Sequence, residues 1–108
     1  MIEIEKISGI GEFTTRKHGA EGEDVVYEVP AASEAGKAFL VLRPKTVEVR
    51  CDGKLSKVLR EKYETVMESR YFGRGGVEIV PSGQLSEEEL EDLVRLSYNM
   101  TREMTEEK

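Results

Sequence analysis

The stretch Lys37-Ala38-Phe39-Leu40-Val41-Leu42-Arg43-Pro44-Lys45-Thr46-Val47-Glu48-Val49-Arg50-Cys51-Asp52 decides the fold. Ala38 to Leu42 is apolar on both faces, as a central strand is, and is far shorter than the roughly 20 residues of a membrane helix. Arg43-Pro44-Lys45-Thr46 reads as a turn, with Pro44 presetting φ at its second position. Val47, Val49 and Cys51 then alternate with Glu48 and Arg50, which predicts a strand with one buried and one wet face. Asp52 ends the stretch as an N-cap, its carboxylate placed for the free amides of a first helical turn.

Working outward, Val25-Val26-Tyr27-Glu28-Val29 is β-branched, stops at Pro30 and completes an antiparallel meander. After Asp52, the residues Leu55, Val58, Leu59 and Tyr63 fall at helical spacing as the apolar face, with Lys54, Lys57, Glu61 and Glu64 elsewhere on the wheel. Gly73-Arg74-Gly75-Gly76 reads as a mobile loop carrying Arg74 outward. Val77 to Val80 is a short strand closed by the turn Pro81-Ser82-Gly83. Ser86 and Glu89 form a capping box. It opens a long helix whose apolar face is expected at Leu90, Leu93, Val94, Ser97, Met100 and Met104. Acidic residues from Glu87 to Asp92 suit the positive end of that helix dipole. Residues 1–22 are weakly patterned: Ile2, Ile4 and Ile7 fit a short strand or a short helix. Residues 105–108 are expected to fray. The sum is one α+β domain over 1–108, an antiparallel sheet with helices packed on one face.

The chain has 108 residues and a formal net charge of −6, which argues against a generic nucleic-acid binder. That total conceals an arrangement. Residues 1–36 carry three basic and eight acidic side chains, residues 37–75 ten basic and five acidic, and residues 76–108 three basic and nine acidic. A basic middle between acidic ends is what a patch-forming surface needs. Lys54 and Lys57, at i and i+3, share a helix face; Arg50 before the helix and Arg70 and Arg74 after it are placed to extend that face. Such a row neutralises phosphates. Tyr71-Phe72 is the only adjacent aromatic pair, so base stacking along a single strand is not expected.

Catalytic and metal chemistry finds little footing. The lone histidine, His18, lies in a glycine-flanked stretch with no local partner and reads as a surface-loop residue. The lone cysteine, Cys51, sits on the apolar side of its strand and reads as a small buried hydrophobe. One Cys and one His do not make a structural zinc site, and the acidic clusters lack EF-hand spacing. Neither Gly9-Ile10-Gly11 nor Gly73-Arg74-Gly75-Gly76 completes a phosphate-cradling motif. No enzymatic activity and no cofactor or metal are expected. An internal disulfide is impossible with one cysteine, and Met1-Ile2-Glu3-Ile4-Glu5 has neither the basic start nor the apolar core of a secretory signal, so a cytoplasmic setting is expected.

The segment from Lys37 to Met100 resembles the MmcQ/YjbR-like family. The residues carrying the likeness are Gly36 to Leu42, Val47-Glu48-Val49-Arg50-Cys51-Asp52, Leu59-Arg60-Glu61, the turn before Leu85, and Glu88-Glu89-Leu90 leading to Ser97-Tyr98. The resemblance implies a small α+β domain of the kind shared by frataxin-like and type III secretion chaperone-like proteins. It also implies a longer helix ahead of the first strand than these residues suggest, and an association with DNA, by which members are often described. The expectation is a non-enzymatic domain that meets duplex DNA through Arg50, Lys54, Lys57, Arg70 and Arg74. The other reading is a protein-interaction module using the acidic C-terminal helix and its Met100 and Met104 surface. No membrane partner is expected.

Overall fold

The computed structural model describes residues 3–31, 36–81 and 83–106. A six-stranded antiparallel sheet has the order β1-β2-β3-β4-β6-β5, formed by β1 (Thr14–His18), β2 (Asp24–Val29), β3 (Lys37–Leu42), β4 (Val47–Arg50), β5 (Val66–Ser69) and β6 (Gly73–Ile79). The helices are α1 (Gly53–Lys62), between β4 and β5, and α2 (Glu87–Glu106), after β6. The predicted meander is present, extended by β1 at one edge. The β5–β6 hairpin adds the other edge, with β6 beside β4. A short 3₁₀ turn at Ile4–Lys6 stands in place of the longer N-terminal helix that the resemblance implied; Ile2 lies outside the described residues.

Both helices and the N-terminal segment cover one face of the sheet. There Val47 and Val49 of β4 and Val77 and Ile79 of β6 meet Leu59 of α1 and Leu90, Leu93, Val94 and Tyr98 of α2. Phe39 and Leu40, neighbours in β3, both join this core, because the pairing with β2 slips by one residue at Tyr27/Glu28 and turns Phe39 inward. α2 is fastened by buried hydroxyls: Ser97 Oγ donates to Phe39 O at 2.5 Å and accepts from the Arg50 amide at 2.8 Å. Both predicted caps form. Asp52 Oδ1 accepts from the Leu55 amide at 2.8 Å, and Ser86 and Glu89 exchange backbone–side-chain bonds at 2.8 and 3.1 Å.

Several local expectations are corrected. The sequence 73–76 is not a loop but the start of β6, and only Gly73 needs the left-handed region, at φ 62°. Phe72 folds back so closely that a Cβ on Gly76 would lie 2.7 Å from its Cβ and 2.4 Å from Val49 O. Val58 is 55% exposed, because α1 buries Ser56 and Leu59 against β6 and so turns Val58 outward. On α2 the buried arc runs Leu90, Leu93, Val94, Ser97, Tyr98, Thr101; Met104 lies on the next arc and is exposed. The tail is helical through Glu106, and 107–108 lie outside the described residues, as does Ser82 of the turn before α2. Glu48, expected on a wet face, is fully buried.

Candidate functional site

The five basic residues drawn together by the sequence are dispersed by the fold. Lys54 and Lys57 stand exposed on α1 and have no ion pair among the described residues. Helical spacing puts Lys54, Lys57, Val58 and Glu61 on one solvent-facing stripe. Over its whole length α1 carries Lys54, Lys57, Arg60 and Lys62 against Glu61 alone, a net +3. Arg74 is exposed in β6; the carbonyls of Gly75 and Gly76 that follow it accept from the Cys51 amide and Ser56 Oγ, so the backbone after Arg74 runs beside the start of α1.

Arg50 is engaged elsewhere. Its guanidinium donates to Ala38 O at 2.8 Å and to Thr101 Oγ1 at 3.2 Å, and lies over the Phe72 ring at 4.8 Å. Arg70 belongs to the opposite face of the sheet from α1, where it binds Glu78 through two bonds of 2.9 and 2.6 Å. Each of these arginines already serves a structural partner, so three of the five remain as open cations: Lys54, Lys57 and Arg74.

The sheet face away from the helices is the part that sequence reasoning missed. A cross-strand row there reads Arg16, Val26, Val41, Glu48, Glu78, Met67. The β5–β6 connection folds over its middle, packing Tyr71 and Phe72 on Val26, Ala38 and Val41. This cover is what buries Glu48. Its carboxylate accepts from Arg43 Nε, from Ser69 Oγ at 2.6 Å and from the Tyr71 amide at 2.9 Å. Arg43 also reaches buried Asp24 at 2.7 Å. Glu78 accepts from Thr46 Oγ1 at 2.7 Å as well as from Arg70. The Arg70 hydrogen bonds hold the Glu78 carboxyl below its ordinary range, and Glu78 raises Arg70 in return. Asp24, Glu48 and Glu78 are thus answered by Arg43 and Arg70, and Arg16 pairs with Glu28 at the β1 edge of the same face. Charges taken out of water here are met by partners on neighbouring strands and turns.

His18 ends strand β1 rather than standing in a loop. Its Nδ1 lies 3.8 Å from Asp24 Oδ2 without a hydrogen bond, and its ring meets Tyr71 edge-on at 5.6 Å. Cys51 is buried, and desolvation pushes its thiol up to about 11, far from a reactive thiolate. Among the described residues no three His, Cys, Asp or Glu side chains are grouped to hold a metal ion, and no helix is long and apolar enough to cross a membrane.

The second helix has the opposite character to the first. α2 carries Glu87, Glu88, Glu89, Glu91, Asp92, Glu103 and Glu106 against Arg95 and Arg102, a net −5. Leu96 and Met104 are exposed on it and Met100 is half-buried between them, an apolar stripe at i, i+4 and i+8. The helical layer is therefore polar in the electrical sense, basic over β5–β6 and acidic over β2–β4.

No family model matches this chain, and no curated protein sequence does. Its architecture is similar to the crystal structure of the Deinococcus radiodurans protein DR2400, whose family-model domain is DUF419. The TM-score is 0.72 at 14% identity, over 92% of this chain and 81% of that chain. At that identity the likeness is one of fold: a shared α+β arrangement of sheet and helices.

Proposed function

We propose that this chain is a non-enzymatic binding domain of MmcQ/YjbR-like type that contacts the phosphates of duplex DNA through α1, in the reducing cytoplasm that a lone buried thiol suits. DUF419 is that family, and the likeness of fold to a DUF419 protein over 92% of this chain supports the reading. The observation that carries the DNA reading is the basic face of α1, where Lys54 and Lys57 are exposed with no ion pair among the described residues and Arg74 is exposed on the adjoining strand. Arg50 and Arg70 take no part in it, because each is held by structural partners. The acidic α2 repels phosphate and so orients the duplex towards α1.

Three phosphate contacts imply weak, sequence-independent binding whose logarithmic salt slope is about −3 at most. Anisotropy titration of a labelled duplex of about 20 base pairs at low salt reads both quantities. Lys54→Glu with Lys57→Glu lowers affinity and flattens the slope by roughly 2. An unmoved slope in that double variant, or no binding of any duplex at low salt, sinks the reading. A second reading rests on the exposed Leu96 and Met104 of α2: an acidic, partly apolar helix face suits a basic amphipathic partner. Nuclease-insensitive capture of a basic peptide helix, lost in Met104→Glu, favours it over DNA.

A further inference from the structure

Across β2, β3 and β4 the residues Val25, Leu42 and Val47 form one row on the helix-bearing face of the sheet. Helix α2 anchors its Ser97 and Thr101 at the other ends of these strands, on Phe39, Ala38 and Arg50. The row is consequently covered at one end only: Val47 is buried, whereas Val25 and Leu42 are half-buried. Beside them opens a hollow of about 580 Å³ with a floor of Val25, Leu42, Val47 and Val80. That volume lies within the range of about 300–1,000 Å³ in which small ligands are held.

The rim decides what would enter. Arg43 is held by Asp24 and Glu48, and Thr46 donates its hydroxyl to Glu78. The carboxylate of Glu23 accepts from the Glu21 amide at 3.0 Å, and backbone bonds hold it below its usual range. Lys45 is different. It is exposed at the turn between β3 and β4, has no hydrogen bond or ion pair among the described residues, and borders both this hollow and a second of about 310 Å³ on the Asp24 side of the turn. An apolar floor with one uncommitted ammonium at its mouth matches a molecule with a hydrocarbon body and a single anionic head. We propose that the hollow at the β3–β4 turn binds a medium-chain monocarboxylate, its chain on Val25, Leu42, Val47 and Val80 and its head on Lys45.

The site lies apart from α1, so it stands or falls separately from the DNA reading. The test titrates the full chain with octanoate, octanol and octylammonium, following backbone amide shifts by NMR. Octanoate gives saturable shifts clustered at Val25, Leu42, Lys45, Val47 and Val80, and binds more tightly than the other two probes. Lys45→Met weakens octanoate about threefold, the modest factor of a rim-exposed charge pair, and leaves octanol unchanged. Lys45 is exposed, so this variant keeps its fold. Val25→Glu, with folding confirmed by circular dichroism, removes octanoate binding by placing a like charge on the floor. Equal affinity for octanol or octylammonium, shifts centred on Leu96 and Met104, or an unaltered titration in Lys45→Met would each overturn the assignment.

Discussion

Glu48 shows how little a side chain's own strand says about its environment. Alternation along β4 directs it away from the core, yet its exposure is 0% because Ser69, Tyr71 and Phe72 lie over it. Removing one member of a buried, hydrogen-bonded charge pair strands the other, at about 3–5 kcal/mol. Glu48→Ala should therefore lower the urea-derived stability by that order, since Arg43 keeps only Asp24 and the Tyr71 amide loses its acceptor. Lys6→Ala is the control: its pair with Glu3 is exposed, and a loss below about 1 kcal/mol is expected. Equal losses in the two variants would mean that the cover over Glu48 admits water. Cys51 makes a second prediction at this scale. Its thiol titrates near 11 in the folded chain, so a disulfide-exchange reagent at pH 8 should label it only through unfolding, at a rate that rises with urea. Rapid labelling of the native chain would contradict the burial.

At the scale of elements, the legible parts were those whose signals are local. The strands around Val25–Val29, Ala38–Leu42 and Val47–Arg50, the Asp52 cap and the Ser86/Glu89 box each follow from side chains within a few residues of one another. β1 and β5 were not legible. Thr14-Thr15-Arg16-Lys17-His18 has no apolar alternation and becomes a strand because β2 offers it a ladder, and β5 is a four-residue edge that exists through β6. The candidate site divides the same way. Helical periodicity alone places Lys54 and Lys57 in solvent, whereas Arg50 and Arg70 are claimed by Ala38, Thr101 and Glu78, groups that only the tertiary fold brings near. The hollow beside Lys45 gathers four strand ends and had no sequence signature. Because the cap of α1 is local, its loss should be local too. Asp52→Ala leaves the Leu55 amide without its acceptor and costs about 1 kcal/mol, read as a lower thermal midpoint. Since α1 carries the lysines, the same change should weaken duplex binding only near the melting transition; weakening at low temperature would show that the cap also sets the position of Lys54.

For the whole molecule, charge organises stability as well as surface. Side chains on the far side of the sheet tie together β2, the β3–β4 turn, β4, β5 and β6, so the protonation of Glu78 bears on more than its own strand. Glu78 provides the sign. Its folded-state carboxyl is held below the ordinary 4.5 by the hydrogen bonds from Arg70, with Thr46 adding to the effect. A group depressed in this way stabilises the fold fully above the unfolded value, and that contribution is lost as pH falls through the folded one. Glu89, lowered by its bonds from Ser86, adds in the same direction. Acid unfolding therefore begins below about pH 4.5, where the folded chain must take up protons that the unfolded chain has already bound. Arg70→Ala removes the hydrogen bonds but not the burial of Glu78, and burial alone raises a carboxyl. The acid midpoint followed by circular dichroism should then move to higher pH than in the parent chain. Arg70 is 64% exposed, so about 0.5 M salt should narrow the difference by screening the pair. An unchanged midpoint would mean that Glu78 contributes nothing to acid stability.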